Sequence, residues 1–350
     1  MKMEKKTLAY RLSLIALCFV VAVICLKRMN EMYDPLARYP YADASNREKI
    51  LNNLNEKEID YMITQQLRPE EYMEFIGLPD FSIYNTLYYT QAKDTQNTSD
   101  EYIVNFVNKY RSRFSLDSLK MYLTNYSYAD LTSFFENEQV MHQNMQLVQD
   151  PRYMYLVLNQ NRSVYHYVPD DLYSQNGVLV KKEAAASLKN MFDDFNKTFE
   201  GQWLSVEEGY LNYEQVVTKY LQAQDVFGDD VDEYMLPGGS NEQQLGYTVA
   251  FEGHSKWNEA VAKEKCYIDH YYGIVEEELD ENEREKIEWI RNNAWRYGFT
   301  VRYPQGKEAV TAHYYQPYLV RYVGREQAKR MYENNLTMEE MDFGKERSNG

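Results

Sequence analysis

The side chains in this sequence that could do chemistry are few and scattered. Glu252, His254, Cys266, His270 and His313 are the metal-ligating types that stand out. Cys266 and His270 are spaced to share a helix face, and Glu252 lies two residues beyond Ala250, the spacing that shares a strand face. A catalytic zinc needs about three strong nitrogen, sulfur or oxygen ligands and one open position. Neither spacing builds that set, and the sequence has no H-E-x-x-H, C-x-x-C or nucleotide-binding loop. Isolated residues of these types read as packing or surface groups, with a metal site built from them as the alternative.

The elements that would have to position such groups are set by length and composition. A chain of 350 residues has room for one large or two modest domains with real cores. Its 38 Lys and Arg against 54 Asp and Glu give a net charge of -16. That balance excludes nucleic acid as a partner, because affinity there comes from neutralising phosphates. A superficial helix-turn-helix reading of LTNYSYADLTSFF fails on the same charge. The 34 tyrosines suit half-buried strands and core edges.

Leu12 to Leu26 is an apolar run flanked by Lys2, Lys5, Lys6, Arg11, Lys27 and Arg28. Extended back to Leu8 with Arg11 snorkelling, it approaches the roughly 20 residues needed to cross a bilayer. No small-x-small cleavage site follows, so it reads as an uncleaved signal anchor. The expected organisation is a cytoplasmic tail at 1–7, an anchor at 8–28 and a tether at 29–44. A small helical domain at 45–145, a mixed domain at 146–340 and a tail at 341–350 follow. With Cys18 and Cys25 inside the anchor, Cys266 is left without an intrachain disulfide partner.

Capping-box spacings at Ser45/Glu48 and Asn55/Glu58 predict two short helices, Pro69 opens a third, and Ser99 or Asp100 starts a fourth. Leu116 to Phe135 reads as two more. Past Pro151 the texture mixes: Tyr155 to Gln160 reads as a buried strand, Lys181 to Thr198 as a helix, and Tyr247, Val249 and Phe251 as a strand. A helix closed by Gly298 and the final strands follow. Strands and helices without regular alternation make an α+β class, with an antiparallel sheet flanked by helices.

Several blocks, in order, carry a resemblance. LVLNQ with YVPDDL, LSVEEGYLNYEQV, PGGSNEQQLGYTVAF and WIRNNAWRYGFTVRYPQGKEAVTAHYYQPYLVRYVG together resemble the VanY-type D-alanyl-D-alanine carboxypeptidases. These are zinc enzymes that trim peptidoglycan stem peptides outside the bacterial membrane. The resemblance implies their fold, an extracytoplasmic location and a peptidoglycan peptide or envelope protein as partner.

For chemistry the resemblance implies loss. Its three zinc-ligand positions fall on Gln243, Ala250 and Leu319, and its general-base position falls on Gln316. Its substrate-carboxylate clamp falls on Glu208 and Leu211. An amide does not exchange a proton near neutral pH, and Ala and Leu offer no donor. No zinc, no other cofactor and no catalytic residue is therefore expected, and the sequence reads as a pseudoenzyme. The resemblance also points to Tyr210, Tyr213, Ser240, Gln244, Tyr315, Tyr318 and Arg321 as walls of the former cleft.

Overall fold

The computed structural model describes residues 2–31, 33–141 and 145–343, with side chains at 7–29, 33–136 and 145–343. Its first element is a helix, Lys2–Glu31, of which Thr7–Met29 is apolar enough to cross a membrane. Those 23 residues rise about 34 Å as a helix, enough for a hydrocarbon core of about 30 Å.

The chain divides into two compact units, Met1–Lys120 and Met121–Gly350. The first is helical, with Arg47–Asn53, Glu56–Thr64, Pro69–Tyr72, Thr86–Thr95 and Asp100–Tyr110 as its α-helices. Ile50, Ile59, Met62, Tyr72 and Ile83 form its core. Asn55 and Glu58 make the expected reciprocal cap, and Ser99 caps the helix at Asp100. Ser45 does not cap. Asp43 accepts hydrogen bonds from the Ser45 and Asn46 backbone and from the Ser45 hydroxyl, so a carboxylate two residues earlier has taken the turn.

The division falls before the boundary at 145 read from the sequence, for a reason visible in helix Leu116–Asn125. Tyr122 donates to the Leu147 carbonyl at 3.2 Å, and Tyr126 donates to Val148 at 2.8 Å. Phe134, on helix Tyr128–Met141, meets Tyr165 edge to face. These aromatic side chains bond and pack onto the mixed unit.

Two small ladders begin the mixed unit: β1 (Gln146–Leu147) beside β2 (Arg162–Ser163), and β3 (Leu172–Gln175) beside β4 (Val178–Lys181). The main sheet has β5 (Val206–Glu208), β6 (Thr248–Phe251), β7 (Phe299–Tyr303) and β8 (Gln316–Tyr322). Its order is β5-β6-β8-β7, antiparallel throughout. Tyr155 to Gln160 is not a strand; it turns, and the Met154 and Leu156 carbonyls accept from Arg321 instead of from a neighbouring strand.

Side chains alternate across the sheet, which fixes two environments. Val249, Phe251, Tyr318 and Val320 join helices Lys182–Thr198, His254–Lys263 and Glu281–Asn293 in one apolar core. Thr248, Ala250, Leu319 and Arg321 take the opposite parity, paired as Thr248↔Arg321 and Ala250↔Leu319. Gly253 enters helix His254–Lys263 at φ +107°, where a Cβ would sit 3.0 Å from the Tyr318 ring, so this tight entry requires glycine.

Candidate functional site

A cleft of about 180 Å³ is lined by Glu208, Gln243, His254, His313, Gln316 and Leu319 among others. Of the positions singled out for the zinc site and its base, Gln243, Leu319 and Gln316 line it; Ala250 does not, but pairs with Leu319. Gln243 rides on the single turn Glu242–Leu245, whose Asn241 side chain accepts from the Gln243 backbone at 2.8 Å. Its side-chain nitrogen donates to Glu208 at 3.1 Å and to the Gly209 carbonyl at 3.4 Å. Glu208 also pairs with Lys219 from helix Tyr213–Phe227. A cation therefore stands in the cleft although Leu211 occupies the clamp position.

Ala250 and Leu319 face each other across β6 and β8, and both belong to a small buried apolar cluster with Tyr303. Gln316 is buried and donates its amide to the Tyr234 carbonyl at 2.8 Å. The Tyr234 hydroxyl takes a hydrogen bond from Asn258 at 2.6 Å, and Asn258 lies 3.1 Å from His254 Nε2. The amide at the base position is thus held by backbone.

His313 is buried and stacks on Tyr303, ring centroids 4.0 Å apart. Its Nδ1 lies 2.8 Å from the Thr311 carbonyl, which can only accept, so Nδ1 carries the proton. Burial lowers the His313 pKa to about 4 and also lowers that of His254, so both rings are neutral at pH 7. His313 Nε2 and His254 Nδ1 are buried without a hydrogen-bond partner among the described residues.

The other sequence candidates lie elsewhere. Cys266 is in the apolar core, where burial raises its thiol pKa. Cys266 and His270 sit on successive turns and not on a helix, and Glu252, exposed, lies just past the end of β6. Among the described residues no three His, Cys, Asp or Glu side chains are grouped to hold a metal. Tyr210, Leu211, Tyr213, Ser240, Gln244, Tyr315, Tyr318 and Arg321 do not line the cleft. Ser240, Gln244, Tyr315, Tyr318 and Arg321 are buried; Gln244 donates to the Tyr165 carbonyl, and Tyr213 stacks on His166.

What the sequence reading missed is the support behind the cleft. Arg302, only 1% exposed, bonds Glu242 at 2.7 and 2.8 Å and Glu339 at 2.7 Å. Arg321 lies 3.6 Å from the same Glu242. Burial opposes the Glu242 charge, but the two guanidiniums outweigh it and hold its carboxyl below the usual range. This network anchors the turn that carries Gln243. Its signal in the sequence is two arginines, Arg302 and Arg321, inside otherwise apolar and aromatic strands.

A polar cleft on one face of an antiparallel sheet, built from these motif positions, defines a carboxypeptidase-like domain. Residues 177–325 match the family model "VanY: D-alanyl-D-alanine carboxypeptidase", so the resemblance read from the motifs holds over that stretch. A Bacillus subtilis (strain 168) protein named "Putative carboxypeptidase YodJ" is 29% identical over 71% of this chain and 85% of its own length. A D-alanyl-D-alanine carboxypeptidase of Enterococcus faecium is 28% identical over 49% of this chain and 46% of its own. Among solved structures, the LdcB LD-carboxypeptidase has 28% identity and a TM-score of 0.43, covering 56% of this chain and 88% of that one.

Proposed function

We propose that this is a cell-envelope protein held by its N-terminal helix, with the remaining domains outside the membrane. In it a VanY-like scaffold binds a peptide without cutting it. The ligand is a peptidoglycan stem peptide or a segment of an envelope protein.

The observation that carries this reading is the Ala250–Leu319 pair, closed by Tyr303 into an apolar cluster where the resemblance implies a metal. The residues present do not fit zinc: two offer hydrocarbon, and the third, Gln243, offers an amide already bonded to Glu208 and Gly209. Gln316 cannot act as a base. What remains in the cleft is a set of hydrogen-bonding groups, Asn241, Gln243, Asn258 and Gln316, with the carboxylates Glu208, Glu242 and Glu259 and one cation, Lys219, paired with Glu208. Such a lining recognises peptide amides, and Lys219 takes a ligand carboxylate only in exchange for Glu208.

A second reading, an active metallocarboxypeptidase with a relocated site, draws on His254 and His313, which both line the cleft with an unbonded ring nitrogen. The two readings separate when purified protein is titrated with a pentapeptide ending in D-Ala-D-Ala. Saturable binding without release of D-alanine, weakened by Gln243→Leu, is expected. Metal-dependent release of D-alanine, abolished by His254→Ala or His313→Ala, would overturn the proposal. Absence of any binding would remove the stem peptide and leave the protein partner, sought by photo-crosslinking from position Gln222 in the cleft wall.

A further inference from the structure

A second concavity, of about 270 Å³, lies beside β7 and is lined in part by Thr300, Val301, Trp295, Met331, Tyr332 and Arg291. One wall is strand and another is helix Arg325–Asn334, which supplies Ala328, Met331 and Tyr332. β7 is the last strand of the sheet and pairs with β8 on one side only. Thr300 and Val301, at its middle, are partly exposed. The outer edge therefore offers backbone N–H and C=O groups with no strand partner among the described residues.

Apart from Gln305 and Asn335 the rest of the lining is apolar and aromatic, with Tyr332 46% exposed and stacked on Trp295. Arg291 is the only charged residue in it. A free strand edge, an apolar pocket and a single cation together recognise one kind of ligand. Backbone pairing gives register, the pocket takes alternate side chains, and the guanidinium takes a carboxylate. The volume falls just below the roughly 300–1,000 Å³ of drug-sized sites, so it holds the end of a chain and not a folded partner.

We propose that the groove between β7 and helix Arg325–Asn334 binds the C-terminal end of an extended peptide. The peptide adds as a strand on β7, its apolar last residue fills the pocket, and its terminal carboxylate pairs with Arg291. This site is separate from the cleft and does not rest on the reading given for it.

The test uses the full chain in nanodiscs and fluorescein-labelled hexapeptides ending in Val, Leu or Phe. Each is made as a free acid, as a C-terminal amide, and with alternate backbone amides N-methylated. The proposal expects saturable binding of at least one free acid, at least tenfold weaker for the amide and for one of the two N-methylated registers. Arg291→Gln and Tyr332→Glu should weaken it by a similar factor while the melting temperature holds, since both residues are exposed. Failure of every free acid to bind up to millimolar concentration would overturn it. So would binding that ignores amidation and both substitutions, or binding displaced by the D-Ala-D-Ala pentapeptide, which would place the peptide in the cleft.

Discussion

Two neighbouring patches on one face of the main sheet handle burial in opposite ways. At Thr248↔Arg321 the strands carry a buried guanidinium, and Glu242, Arg302 and Glu339 complete a network around it. Two residues along, at Ala250↔Leu319, the same strands carry only hydrocarbon. Charge removed from water is costly unless it is paired, so each patch is consistent on its own terms. The contrast teaches that the ionic frame holding the cleft loop and the chemistry inside the cleft are separable.

That comparison breaks most readily at Arg302. Arg302→Met strands Glu242 and Glu339 together and is expected to destabilise the mixed unit by about 3–5 kcal/mol, read from urea unfolding at pH 7. Adding Glu242→Gln should recover part of that loss. If Arg302→Met were neutral, the network would not be what holds the loop.

The next effect is in pH. The folded His313 pKa of about 4 lies below its ordinary value of 6.5. The unfolded chain therefore takes up a proton that the folded chain refuses as pH falls. Stability from this group is full above 6.5 and declines between 6.5 and 4, by roughly 3 kcal/mol in all. His254 adds in the same direction. The loss of urea midpoint between pH 7 and pH 5 should shrink in His313→Phe, which keeps a ring against Tyr303. Below the ordinary carboxyl range Glu242 adds a further loss, since its folded pKa is lowered and its pairing is forfeited on protonation.

Leu319→Ala should cost about 2 kcal/mol, toward the low end for a buried leucine because the cleft beside it lets the site relax. Gln316→Leu removes one amide-to-carbonyl bond and should cost about 1 kcal/mol. Both are smaller than the Arg302 effect, and a reversal of that order would make the apolar corner, and not the ionic frame, the keystone.

Much of this was legible in the sequence where signals are local. Helix Lys182–Thr198 follows from the spacing of Ala185, Leu188, Met191, Phe192 and Phe195, all buried. The Asn55 cap and the Gly298 stop, with φ +85°, were read from residue type alone. The cleft positions Gln243, Leu319 and Gln316 were found by motif order. What was not legible depends on distant pairing: Glu242 and Arg302 are 60 residues apart in sequence, and nothing near either names the other. The resemblance points to Tyr315, Tyr318 and Arg321 as cleft walls, but Tyr315 and Tyr318 sit in the apolar core, and Arg321, on the face of Leu319, is taken up by Glu242; burial of β8 on both faces hides that alternation in the sequence. Tyr155 to Gln160 looks like a strand because Leu156 and Leu158 are buried, yet its Met154 and Leu156 carbonyls are taken by Arg321.

We propose that the scaffold stands without the metal its resemblance implies. The most direct measurement is the zinc content of the chain purified in detergent without chelator, alongside its melting temperature with and without excess EDTA. Far less than one zinc per chain is expected, with a melting temperature that chelator leaves unchanged. One zinc per chain, with a melting temperature lowered by EDTA and restored by zinc, would contradict it.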